Sequence, residues 1–235
     1  MLIDGDVLLD AGTGVGDLSL DDLHPIRHVF LTHAHLDHIA GLPMLIDSIF
    51  TDQVDTPVTV YGRMETLAAI RQHVFNWVIW PDFAVLPSPE RPMLRYQVCN
   101  PGDTVTIEHR DFHAVDVAHS VPAIGYTVRQ AGQVFAVSGD TKTNKTLWPA
   151  LNAVNDLRAL VIEVSFPDEQ ESLAAAAGHY CPATVARDLM LLEHDPDIWL
   201  TGMKPGEEER ILAQVLSAVP DKNIRMLSRG TIINL

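Results

Sequence analysis

His33-Ala34-His35-Leu36-Asp37-His38 packs three imidazoles and a carboxylate into six residues. The run follows His28 to Thr32, a short apolar stretch that reads as a buried strand. A loop at a strand's C-terminal end, rich in His and Asp, is how polypeptides assemble metal sites. The bland alternative is a solvated loop in which Asp37 caps the helix that follows. Eleven His in 235 residues make so dense a cluster rare by chance, which favours the metal reading.

Outward from this run, strand and helix signals alternate to both ends without a linker or repeat. Leu2 to Asp10 reads as two short strands around Asp4-Gly5-Asp6, followed by the Gly-rich turn Ala11-Gly12-Thr13-Gly14. A helix is expected from about Ile39 to Phe50, a strand over Val58 to Tyr61 and a helix from Met64 to Val78. The middle is strand-rich: Leu94 to Val98, Thr104 to His109, Phe112 to Ala118, and a hairpin from Ile124 to Val137 turning at Ala131-Gly132. Then come a helix near Lys145 to Asn155, strand Ala159 to Val164, helix Pro182 to His194 and strand Ile198 to Thr201. A last helix opens with acidic Glu207-Glu208-Glu209, as the helix dipole favours. Asn223 to Leu227 and Thr231 to Asn234 read as closing strands. This pattern predicts an α/β (α+β) chain with two sheets and flanking helices, organised as a single domain over 1–235.

Two more strand ends carry metal-ligand residue types. His119 closes a strand at Ala118-His119-Ser120, and Asp140 closes another at Ser138-Gly139-Asp140-Thr141. Each alone is an ordinary surface residue or turn, but three strand ends delivering such types point to one metal-bearing rim.

The Asp10-Ala11-Gly12-Thr13-Gly14 turn, the Thr32-to-His38 loop, His119 and Ser138-Gly139-Asp140-Thr141 stand in an order and spacing that resemble the metallo-β-lactamase superfamily. The resemblance covers nearly the whole chain. It implies a four-layer αββα sandwich and two divalent metal ions, usually zinc, with manganese or iron as alternatives. By it, His33, His35 and His119 hold the first ion, Asp37 and His38 the second, and Asp140 bridges both; Asp37 is also counted among the catalytic residues. Relatives place a further strand before Leu2 to Asp10, and this sequence is read as lacking it. Where relatives supply a last histidine near Lys-Pro, this chain reads Thr201-Gly202-Met203-Lys204-Pro205, so Gly202 offers no ligand to the second ion.

Composition narrows the function. Lys+Arg 16 against Asp+Glu 31 leaves a net charge of −15. Such a surface disfavours nucleic acid, whose binding needs cations that neutralise phosphates. Apolar stretches are too short and too interrupted by charge to span a bilayer. Two cysteines, Cys99 and Cys181, cannot make a disulfide scaffold and suit a reducing cytoplasm. No export leader is evident. A metal pair that lowers the pKa of bound water toward ~7 provides a hydroxide nucleophile, and its positive charge suits a small anionic substrate such as a phosphodiester.

Within the superfamily, Glu163-Val164-Ser165-Phe166-Pro167, Gly178-His179-Tyr180-Cys181-Pro182 and Met203-Lys204-Pro205 resemble the branch holding ribonuclease Z and the class II cyclic-nucleotide phosphodiesterases. The Gly178-His179-Tyr180-Cys181-Pro182 element, the Lys204-Pro205 pair and Phe75 to Phe83 are closest to the latter. The resemblance implies hydrolysis of 3′,5′-cyclic nucleotides (cAMP or cGMP) to nucleoside 5′-monophosphates. His179 would act near the leaving oxygen, as a proton donor or by holding the phosphoryl group, and Glu163 would pair with it or orient a ligand. Expected substrate contacts are Ser120, Thr141 and Lys204 near these motifs, with Trp80 and Phe83 stacking on a nucleobase. Aromatics at this spacing equally suit the core or a homodimer contact, and for Trp77 the contact is the preferred reading. The alternatives are a ribonuclease Z-like or other metallo-hydrolase acting on lactones or thioesters, and a non-catalytic metal-binding module left by the change at Gly202. Ribonuclease Z is disfavoured because no Gly/Lys/Arg-rich arm is present.

Overall fold

The computed structural model describes residues 1–50 and 56–234. The chain forms two compact units, Met1–Asn100 and Pro101–Leu235.

The first unit is built on a five-stranded sheet of order β1-β2-β3-β4-β7, from β1 (Leu2–Ile3), β2 (Val7–Leu9), β3 (His28–Phe30), β4 (Val58–Gly62) and β7 (Leu94–Val98). β1 and β2 form the antiparallel hairpin expected around Asp4-Gly5-Asp6, and the remaining pairs are parallel. β2 and β4 are apolar on consecutive residues because parallel strands bury both faces. Helices α1 (Leu20–Leu23), α2 (Leu36–Ile39), α3 (Leu42–Ser48) and α4 (Met64–His73) lie between the strands in sequence. The small ribbon of β5 (Pro87–Ser88) and β6 (Arg91–Pro92) completes the unit. Val29, Leu31, Leu45, Ile46, Val60 and Ile70 anchor its core.

Two expectations here are corrected. The single helix over 39–50 is two short ones, and the first starts inside the histidine run. Gly41 donates its N–H to the Ala11 carbonyl at 2.8 Å instead of continuing α2, and Pro43 sits in the first turn of α3, where its missing N–H costs nothing. The second helix ends at His73 rather than Val78. There the chain bends so that Phe75 bridges Trp80, and Trp77 adopts a left-handed φ of 65°.

The second unit holds a seven-stranded sheet of order β14-β13-β12-β11-β10-β9-β8. β8 (Thr104–Ile107), β9 (Arg110–Val117), β10 (Ala123–Gln130) and β11 (Gln133–Val137) run as an antiparallel meander. β12 (Leu157–Glu163), β13 (Asp197–Thr201) and β14 (Ile224–Met226) then add in parallel. Each parallel step is spanned by helix, as crossover geometry requires: α5 (Leu147–Asn152), then α6 (Glu171–Ala177) with α7 (Pro182–Leu189), then α8 (Glu208–Ala218). Trp148, Leu160, Ile162, Val185, Leu189, Ile211 and Val215 fill the core. Because β9, β11, β12 and β13 all point the same way, their C-terminal ends share one rim of this sheet.

The expected strand over 231–234 is absent. The last ladder bond is Leu227 N–H to the Leu200 carbonyl, after which Ser228 to Thr231 closes into a turn. No helix among the described residues is long and apolar enough to cross a membrane.

Candidate metal centre and acid-base site

In the first unit the site is organised by Asp10, which follows β2 with a left-handed φ of 55°. Its Oδ1 accepts the Thr32 N–H at 2.8 Å, and its Oδ2 accepts the Thr32 hydroxyl at 2.8 Å and His38 Nδ1 at 2.7 Å. With Nδ1 committed to a carboxylate, Nε2 of His38 is the nitrogen that could hold a metal ion, and it lies 3.8 Å from Asp37 Oδ2. His33, fully buried, sets its Nε2 3.0 Å from His35 Nδ1. Two ligand atoms on a tetrahedral zinc lie about 3.4 Å apart, given bonds of roughly 2.1 Å. Both pairs sit near that separation, so their donors fit a divalent ion. Gly12 makes the arrangement possible, since a Cβ there would fall 2.0 Å from the Asp37 carbonyl oxygen.

The second unit brings His119, Asp140, Glu163 and His179 together at the shared strand rim. His119 follows β9 and donates Nδ1–H to the Gly178 carbonyl at 2.9 Å, which turns Nε2 toward Asp140, 4.0 Å from Oδ2. Asp140 follows β11, is 8% exposed, and also stands 4.0 Å from His179 Nδ1. Glu163 ends β12, wholly buried. Its Oε1 accepts the backbone N–H groups of Thr141 (3.0 Å) and Tyr180 (3.2 Å) and His179 Nδ1 (3.1 Å). Burial pushes the Glu163 carboxyl above the usual carboxylate range, against the pull of its bond to His179. For His179, burial works downward, but the hydrogen bond and charge of Glu163, with the charge of Asp140, outweigh it and lift its affinity for a proton. The ring is therefore anchored through Nδ1. Lys204 holds its ammonium 5.2 Å from the centre of the Phe166 ring, itself beside His179, and its charge opposes that protonation.

Each unit thus gathers imidazole and carboxylate donors of the kind that bind divalent metal. Other expected contacts divide. Ser120 is exposed beside His119, and Lys204 is exposed. Thr141, expected to touch substrate, is fully buried and spends its hydroxyl on the backbone of Ala118 and Lys142; it supports Glu163 instead. Phe83, expected to stack on a base, is 2% exposed and packs against Phe50 and Phe75 in the core, because its apolar ring completes that cluster. Trp80 is half-buried, whereas Trp77 stands 62% exposed. Asp10 and Thr32 had no expected role at the site; the Asp10-Ala11-Gly12 turn was the only signal, and nothing local told that its carboxylate reaches His38.

A family model described as "Beta-lactamase superfamily domain" matches residues 6–194. The chain belongs to the metallo-β-lactamase superfamily. Its superfamily relatives include a protein from Yersinia pestis named probable 3′,5′-cyclic-nucleotide phosphodiesterase, 28% identical over 183 residues, covering 72% of this chain and 51% of that protein. Another is a ribonuclease Z of Methanococcus maripaludis, 29% identical over 133 residues, with 54% of this chain and 41% of that protein covered. The chain therefore spans about half the length of these curated relatives. Among solved structures, unliganded yeast PDE1 superposes with a TM-score of 0.75 at 21% identity, covering 88% of this chain and 67% of that one. The fold is accordingly of the metallo-β-lactamase type, as the sequence motifs imply, and the superfamily is one of metal-dependent hydrolases.

Proposed function

We propose that this chain is a phosphodiesterase that hydrolyses 3′,5′-cyclic nucleotides to nucleoside 5′-monophosphates with two divalent metal ions, zinc in the first instance. The observation that carries the reading is His179, held through Nδ1 by buried Glu163 at 3.1 Å and set beside Asp140. A cyclic diester expels an alkoxide, and a clamped, protonated imidazole is the group that alkoxide needs. The relatives named as phosphodiesterases support the same substrate class.

His33, His35 and His119 would hold one ion, Asp37 and His38 the other, and Asp140 both. When bound, such ions polarise water and neutralise charge on phosphoryl oxygens. The remaining chemistry belongs to the side chains. As water's oxygen forms its bond to phosphorus and the bond to the 3′ oxygen breaks, His179 gives its Nε2 proton to that oxygen, and the proton that water loses passes to solvent, from which the ring is recharged. Glu163 keeps the ring oriented and stabilises its charge. Lys204 offers an ammonium to a phosphoryl oxygen, Ser120 a hydroxyl, and Trp80 an aromatic face to the base. Asp37 joins the catalytic set through the second ion.

The net charge of −15 speaks against a transfer RNA substrate. The test is turnover of cyclic AMP, cyclic GMP, a transfer RNA precursor, a lactone and a thioester by metal-loaded protein, with metals counted per chain. Hydrolysis of a cyclic nucleotide with two ions supports the reading. RNA cleavage, ester hydrolysis alone, or no turnover would replace it with the ribonuclease, general hydrolase or binding-module alternative.

We also place the protein in the cytoplasm, where Cys99 and Cys181 would stay the buried thiols they are. Self-association would run through Trp77, Val78 and Ile79, which are 62%, 84% and 64% exposed. Sedimentation of Trp77→Ser beside the unaltered protein checks it.

A further inference from the structure

Ser165 lies just past β12 and is 2% exposed. Its hydroxyl oxygen has three polar neighbours: Glu163 Oε2 at 3.0 Å, the Gly202 carbonyl at 2.9 Å and His179 Nδ1 at 3.1 Å. Its backbone ties the same three segments, since Ser165 N–H reaches the Tyr180 carbonyl and the Ser165 carbonyl accepts Lys204 N–H.

A hydroxyl carries one proton. The Gly202 carbonyl can only accept it, and Glu163 Oε2 is the competing acceptor. In either arrangement the Ser165 lone pairs face His179, so the oxygen receives Nδ1–H. That matters because Glu163 Oε1 already accepts two backbone N–H groups and can give His179 only a shared bond. The left-handed turn at Gly202, φ 73°, is what carries its carbonyl to the hydroxyl.

We infer that Ser165 is a positioning residue for His179, holding a proton at Nδ1 through a hydroxyl aimed by the Gly202 carbonyl, so that Nε2 is the nitrogen that gives up and regains the second proton. The inference builds on the proposed acid role of His179.

The test is the tautomer of neutral His179, the form left once Nε2 has given up its proton, read at alkaline pH by two-bond 1H–15N correlation on the full chain in the absence of substrate, in Ser165→Ala and Ser165→Thr. The expected result is a mixture of Nδ1–H and Nε2–H forms in S165A and a single Nδ1–H form in S165T. With cyclic nucleotide, S165A should lower kcat roughly ten-fold with KM unchanged, and S165T should restore it. A single Nδ1–H form in S165A, or a mixture in S165T as well, overturns the inference. Should S165A not fold, Ser165→Cys replaces it: sulfur, a weak acceptor of Nδ1–H, should give a partial mixture, and an unchanged tautomer counts against Ser165. Because the tautomer is read without turnover, it decides the role of Ser165 even where the unaltered protein hydrolyses no cyclic nucleotide and the functional proposal fails.

Discussion

Asp10 does for His38 what the Gly178 carbonyl does for His119: each occupies Nδ1 and thereby chooses Nε2 as donor. Removing such a partner typically costs 10–100-fold in metal affinity. Asp10→Ala should weaken metal binding by about that factor, measured by competition with a chromogenic chelator, while the protein stays folded. His35→Ala should go further and abolish first-ion binding together with activity; the metal count per chain and turnover check both. Gly202 yields the opposite of what its place in the sequence suggests. A histidine there looks like a restored ligand, yet φ is 73° and a Cβ would stand 3.3 Å from that of Glu163. Gly202→His should therefore destabilise the fold by about 1–3 kcal/mol, as urea denaturation would read. Of these residues the histidine run was legible because its imidazoles are neighbours in sequence. Asp10 was not, since its partner lies 28 residues away, and Ser165 was not, because a buried serine after a strand has no signature of its own.

At the scale of elements, the strand Leu157–Glu163 was readable because a parallel strand buried on both faces leaves an unbroken apolar run, here Ala159 to Ile162. Short helices were not. α1 is four residues with one buried side chain, too little for periodicity; what defines it is a capping box between Ser19 and Asp22. Ser19→Ala should cost about 1 kcal/mol, visible as a shifted urea midpoint without a change of slope. The break between α2 and α3 also escaped, because it depends on the Ala11 carbonyl competing for Gly41 N–H. A second element-level contact sets an acid response. Glu169, just before α6, bonds Arg210 and Gln214 of α8, and the Arg210 hydrogen bond above all holds its carboxyl down to about 2. A carboxyl depressed on folding stabilises fully above its unfolded value near 4.5 and loses that contribution as pH falls toward 2. Arg210→Ala should thus lower stability slightly at pH 6, with the difference shrinking through pH 2 and vanishing below it. Paired denaturation curves across that pH range check this.

For the whole molecule, the acidic surface and the donor clusters point to different partners. A charge of −15 should keep the protein off transfer RNA at physiological salt, which a mobility-shift titration tests. Divalent metal should raise the melting temperature, since ligand at one hundred times its dissociation constant adds about 2.7 kcal/mol to the folded state. Chelation should reverse the rise in a thermal scan. The α/β class and the order of elements were legible at this scale from the alternation of signals, because each crossover helix separates strands that must lie parallel.

The candidate site residues His119, Asp140 and Glu163 of the second unit each stand at or just past a strand terminus, while the ladders beneath them pair through backbone groups alone. Descendants of this gene are consequently at liberty to lengthen, shorten or rewrite those connecting segments without disturbing the scaffold. New catalytic repertoires should arise there by insertion and drift, leaving the architecture ancestral.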